Sequence, residues 1–276
     1  MQYLRGWTAL RNDPNWVRVL TMGSALILCG FFVPIVGPLL LQLVLTGWTT
    51  LILRRAVSGQ DSPLPRLDFD FSYLGKLVEE GVKGWLAALL WRMPMTFVMF
   101  ASICCMYVGM GVMVSGGMAA GGAAGGEAGA GLGGLAAMCG IFAMMFVYIG
   151  LIQIMQMPVH MAYIRAEITG DLNQAMRFKD VMDMTKLMFK ELFFGQIVMT
   201  FISFGLVLGG ELMCFIGLFP AMVVLNLIMT FWHAELYRVY LEKGGEPLPI
   251  GPLTVEGGDV PQVGSPPDGW NNPQQF

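Results

Sequence analysis

The chain has 276 residues, 55% hydrophobic and 13% charged, with a formal net charge of −3. Soluble domains carry about 25% charged residues, so this composition excludes an ordinary soluble fold and puts the chain among membrane lipids. No dense basic stripe interleaved with aromatics occurs, so nucleic acid is not expected as a partner.

Residues 1–16 (MQYLRGWTALRNDPNW) are amphipathic and too polar for a signal core, so the first span is expected to act as an uncleaved anchor. The apolar run Val17–Leu53 would be about 55 Å long as a single helix, nearly twice the ~30 Å hydrocarbon core. FFVPIVGP interrupts it, and Pro34, Gly37 and Pro38 predict a helical hairpin, Val17–Val33 out and Leu39–Leu53 back. A second amphipathic stretch, FSYLGKLVEEGVKGW (71–85), precedes spans expected at Pro94–Val114, with Pro94 at the helix start, and Leu135–Met157. Between them lies SGGMAAGGAAGGEAGAGLGG (115–134). The third stretch, NQAMRFKDVMDMTKLMFKEL (173–192), leads into Leu192–Leu208 and Met213–Trp232, joined by GGEL. Such amphipathic stretches lie in the headgroup plane of a bilayer, with basic residues toward lipid phosphates.

Charge placement counts the crossings. Arg5, Arg11 and Arg18 precede the first span, and Arg54 to Arg92 lie between the second and third. Arg165 to Lys190 lie between the fourth and fifth, and Arg238 and Lys243 follow the sixth. These positions account for all 16 Lys and Arg, while the three opposite turns carry only Glu127 and Glu211. Lys and Arg near span ends are retained on the cytoplasmic side. A seventh crossing at 115–134 would put the positive charges downstream of it outside and bury Glu127 at a cost of about 2.5 kcal/mol. The expected fold is therefore an all-α polytopic membrane protein. Six transmembrane helices form three hairpins (17–53, 94–157, 192–232), each preceded by an amphipathic cytoplasmic-surface helix, with both termini cytoplasmic. The membrane domain covers 17–243, and the Pro-rich tail 244–276 reads as disordered. The Gly/Ala-rich segment 115–134 reads as an outer loop, the alternative being helical extensions of the two flanking spans packed through small residues.

The even spans end alike, in LILRRAVSGQD, AYIRAEITGDL and ELYRVYLEKGG. Aligning Arg54, Arg165 and Arg238 brings Gln42, Gln153 and Asn226 into one register, twelve residues or about 18 Å upstream. The same alignment puts Thr49, His160 and His233 in one register, five residues upstream. This reads as a threefold repeat. The opening DPNWVRVL and GFFVPIVGPLLLQLVLTGWTTLILRRAVSGQDSPLPRLDF resemble a family of prokaryotic multi-pass membrane proteins described as domain of unknown function 4013. GDLNQAMRF and CFIGLFPAMVV with FWHAELYRVYL resemble its closing segment, so the resemblance covers about residues 1–243. It implies a prokaryotic inner-membrane protein and brings no activity or site residue with it.

Gln42, Gln153 and Asn226 form a candidate intramembrane polar cluster, either a clamp between helices or a lining for a transported solute. Arg54, Arg165 and Arg238 are candidate contacts for lipid phosphates or another anion. His160 and His233, the two histidines of the chain, are weak metal candidates, because zinc sites take three or four protein ligands and none is supplied locally. The five cysteines lie in apolar stretches without a CxxC pair and read as packing residues. No GxSxG, HExxH or GxxxxGK[ST] motif occurs, and no cofactor is implied. The expected function is non-enzymatic: a scaffold or membrane subunit of a larger assembly, with a protein partner or second copy recruited through the cytoplasmic face and tail. The rival expectation is a small-solute or lipid permease with a polar midplane site.

Overall fold

The computed structural model describes residues 5–32, 34, 36–60, 64–65, 70–123, 127–213 and 216–253. The described residues are helical apart from turns and short connectors, and hold no strand. In chain order the helices are α1 (Arg5–Asn12), α2 (Trp16–Phe32), α3 (Val36–Val57), α4 (Phe71–Ala123), α5 (Glu127–Thr169), α6 (Leu172–Met176), α7 (Phe178–Leu187), α8 (Phe189–Leu212) and α9 (Leu218–Glu242). The chain divides into two compact units, residues 1–88 with 160–276, and residues 89–159.

Within the larger unit the expected first hairpin is present. The amide of Val36 donates to the Pro34 carbonyl (2.8 Å) in the turn between α2 and α3. Pro38 falls in the first turn of α3, where a missing N–H leaves no helical bond unmade. The third hairpin turns later than expected. GGEL closes the last turns of α8, and the reversal occurs after Leu212, where Gly210 lies against the backbone of Leu218. Helix α9 is the hub, packed against α1, α2, α3 and α8. In a bilayer the drive for such contact is close packing rather than loss of water from apolar surface. Three of the neighbours accordingly present a glycine to α9: Gly6 against the Ile228 backbone, Gly23 against Val223, and Gly195 against the Trp232 ring.

Four expectations need correction. The N-terminal segment does not lie free on a surface: α1 seats Gly6 and the buried Leu10 against the middle of α9. The 173–192 stretch is two short helices rather than one. Asp171 caps α6, and α7 buries Val181, Met184 and Thr185 while Phe178 and Leu187 stay exposed. Pro94 does not start a helix: α4 starts at Phe71, where Asp70 Oδ1 accepts the Ser72 amide (2.9 Å), and runs through Pro94. A proline inside a helix removes one backbone bond, which a long apolar helix tolerates in a membrane. The segment read as an outer loop is helical on both sides of residues 124–126, ending α4 and beginning α5. Glycine, a poor helix former, makes up half of that segment, but without water an unpaired backbone costs more than a weak helix; residues 124–126 themselves lie outside the described set.

Helices α3, α5 and α9 close the same way. Gly59 (φ 74°), Gly170 (φ 67°) and Gly244 (φ 83°) hold the left-handed conformation that ends a helix, five or six residues beyond Arg54, Arg165 and Arg238. The ends of these three helices build the region described next.

Candidate functional site

The shared end of α3, α5 and α9 is polar and buried. Arg54 on α3 has no exposed surface (0%). Its Nε donates to the Glu167 carbonyl on α5 (2.6 Å), and its Nη1 donates to the Pro252 carbonyl (3.0 Å) and pairs with Glu80 Oε2 on α4 (2.9 Å). Lys83 holds the other Glu80 oxygen at 3.0 Å. Buried Glu167 accepts from the Thr50 hydroxyl (3.0 Å) and the Tyr163 hydroxyl, and Tyr163 also meets Thr46 and Thr49. Threonine is what a helix can carry here, because its hydroxyl reaches a partner without the bulk of a longer polar chain. The cluster joins α3, α4 and α5, and a buried charge of this kind is tolerated only when paired.

Residues 246–253 lie extended across this end. The Glu246 amide donates to the Tyr240 hydroxyl (3.1 Å), Leu248 to the Tyr237 hydroxyl (2.7 Å), and Gly251 to the Ile168 carbonyl (2.7 Å). Arg55 Nε donates to the Leu253 carbonyl (3.1 Å). Leu248 and Leu253 are buried. This part of the expected disordered tail is therefore packed onto the domain, and residues 254–276 lie outside the described set.

Gln42 is exposed on α3, and the Asn226 amide donates to the Met222 carbonyl of its own helix (2.8 Å). Gln153 lies on α5 in the 89–159 unit. Arg54 and Arg165 spend donors inside the protein. Arg165 Nε reaches the Gln174 carbonyl (3.1 Å) and Nη2 reaches Asp180 (3.3 Å), while the partly exposed Arg238 pairs with Glu235 (2.9 Å). His160 and His233 do meet: Nδ1 of the first lies 3.3 Å from Nε2 of the second, with Trp232 edge-on to His160 and Tyr163 against His233. Among the described residues no group of three His, Cys, Asp or Glu is placed to hold a metal.

Sequence reasoning did not foresee that Glu80 and Glu167 meet Arg54, and it gave Gln196 no role. Gln196 on α8 is 4% exposed, and neither its amide oxygen nor its nitrogen has a hydrogen-bond partner; the same holds for Trp232 Nε1, beside Gly195. Buried unpaired groups of this kind mark a place for water or a polar ligand.

Among the described residues, five helices are long and apolar enough to cross a membrane: Val36–Val57, Phe71–Gly109, Val147–Thr169, Phe189–Leu212 and Leu218–Glu242. Trp16–Gly30 is a shorter apolar helix. These helices define a multi-pass helical membrane protein. The chain belongs to the family described as protein of unknown function DUF4013, whose model matches residues 29–231. No curated protein and no solved structure matches the chain.

Proposed function

We propose that the protein is a non-enzymatic scaffold or membrane subunit that works by association with a second copy or a protein partner. The observation behind this reading is the 89–159 unit, whose large apolar side chains (Phe97 75% exposed, Phe100 68%, Val147 73%) find no cover within the described protein and are left for lipid or, as proposed here, a partner helix to cover. Native Cys104, Cys105 and Cys139 are exposed on the same helices and serve as reporters. Oxidative cross-linking in native membranes is expected to trap a disulfide-linked species that disappears in the triple Cys→Ser variant. A chain that stays monomeric both in that assay and in mass measurement of mild-detergent extracts would sink the reading.

The finer arrangement belongs to the same proposal. The short apolar helix α2 joins the five longer ones as a sixth span, the three Arg-to-Gly helix ends mark a threefold repeat, and both termini lie on the cytoplasmic side of a prokaryotic inner membrane. Single cysteines at Glu127 and Lys179 are expected to label from opposite faces of intact cells; labelling from one face refutes the topology. A permease is the second reading, and the unpaired Gln196 amide and Trp232 indole favour it over a polar site built on Gln42, Gln153 and Asn226. It predicts solute-dependent protection of Gln196 that a scaffold would lack.

A further inference from the structure

Among the described residues, every hydrogen bond from the helices to residues 246–253 engages main-chain atoms of the segment. The hydroxyls of Tyr240 and Tyr237 accept the amides of Glu246 and Leu248, the Ile168 carbonyl accepts the amide of Gly251, and Arg54 and Arg55 donate to the carbonyls of Pro252 and Leu253. The buried side chains of the segment are Leu248 and Leu253, five residues apart, with Ile250 half-buried between them, whereas Pro247, Pro249 and Pro252 face outward. The outward prolines donate no main-chain bond and keep the segment extended. Two glycines complete the fit. A Cβ on Gly245 would overlap the Tyr240 ring, and one on Gly251 would stand 3.0 Å from both Arg54 Cζ and the Thr169 carbonyl oxygen. Main-chain hydrogen bonding along an extended segment, with pockets for separated side chains, is how folded domains bind peptides.

We propose that the joint end of α3, α5 and α9 is a groove that reads extended, proline-bearing peptide of the pattern Leu-x4-Leu, and that residues 246–253 occupy it as the chain's own removable strap. The reversal at Gly244 and Gly245 delivers the strap from the end of α9 directly into the groove. A ligand tethered that closely competes at about millimolar effective concentration. The groove is therefore closed to peptides in trans until the strap leaves, and its departure uncovers the guanidiniums of Arg54 and Arg55. This goes beyond association through residues 89–159, since it concerns a different surface and a different partner chemistry.

The test uses the full chain in detergent micelles and a fluorescent peptide EPLPIGPL. Leu248→Asp/Leu253→Asp protein, its strap unseated, is expected to bind the peptide saturably. Wild-type protein is expected to bind about 100-fold more weakly, the penalty a millimolar tethered competitor sets on a ligand of about 10 μM affinity. A peptide carrying Asp at both leucine positions is expected not to bind. A double variant that keeps its elution profile yet ignores the peptide, or wild-type protein that binds it equally well, overturns the proposal. Hydrogen exchange on the wild-type chain decides the matter even if the double variant misfolds. The Leu248 and Gly251 amides are expected to exchange far faster than those of α9, through opening of the strap alone. Exchange of strap and α9 together, only on global unfolding, overturns it.

Discussion

Arg54→Met is expected to cost about 3–5 kcal/mol of stability, the range seen when one member of a buried ion pair is deleted. The guanidinium serves three directions at once, toward the Glu167 carbonyl, the Glu80 carboxylate and the Pro252 carbonyl. Methionine fills most of the volume and serves none of them. Glu80 then remains as a poorly compensated carboxylate, with Lys83 on its outer oxygen. The sharper expectation concerns the pair: Arg54→Met/Glu80→Met should recover much of the loss, because the stranded charge goes with its partner. Arg54→Lys should fall in between, since one compact ammonium cannot reproduce the planar fork. Lys186→Met, which breaks an exposed pair with Asp183, should change little. Unfolding midpoints in graded denaturing detergent measure these four and the single Glu80→Met variant that completes the cycle. An unchanged midpoint for Arg54→Met, or a double variant worse than the sum of its parts, would show that the ion pair does not hold these helices together.

Local chemistry was the legible part. Pro34 to Pro38 announced the first hairpin, and the Arg-to-Gly endings announced three helix ends that do hold left-handed glycines. The boundaries of the long helices were not legible. Proline and glycine are read as breakers by their cost in water, whereas α4 carries Pro94 and α4 and α5 share the glycine segment. With no water available, an unpaired backbone is worse than a weak helix. The site was hidden for a different reason. Arg54 meets Glu167 across 113 positions and Pro252 across 198, and no local pattern encodes such a meeting. Nothing in Glu80's own stretch marks it, because its partner Arg54 belongs to another helix. The tail read as disordered because its prolines forgo internal hydrogen bonds; in the structure tyrosine hydroxyls, arginines and one carbonyl supply them.

The second large effect is expected where α3 crosses α4. A Cβ on Gly47 would overlap the Leu77 carbonyl, and one on Gly81 would overlap the Leu43 carbonyl. Both obstacles are backbone, so no rotamer change relieves them and the helices must move apart. Moving them apart would also strain the Arg54–Glu80 pair and the Thr50–Glu167 bond, which depend on the same approach. Gly47→Ala or Gly81→Ala is therefore expected to cost about 3 kcal/mol or more, the upper end for overpacking. Nearby glycines calibrate the claim. At Gly84 an added methyl would meet only side-chain atoms, Thr46 Cγ2 at 3.3 Å and Glu167 Cγ at 3.4 Å, and at Gly75 nothing within 4 Å. Gly84→Ala should be close to neutral, and Gly75→Ala should stabilise by about 0.5–1 kcal/mol through helix propensity alone. One separation of the helices accommodates both methyls at the crossing, so Gly47→Ala/Gly81→Ala should cost clearly less than the sum of the single changes. Additive losses in the same unfolding assay would mean that the two glycines act independently and that backbone contact is not what sets this crossing.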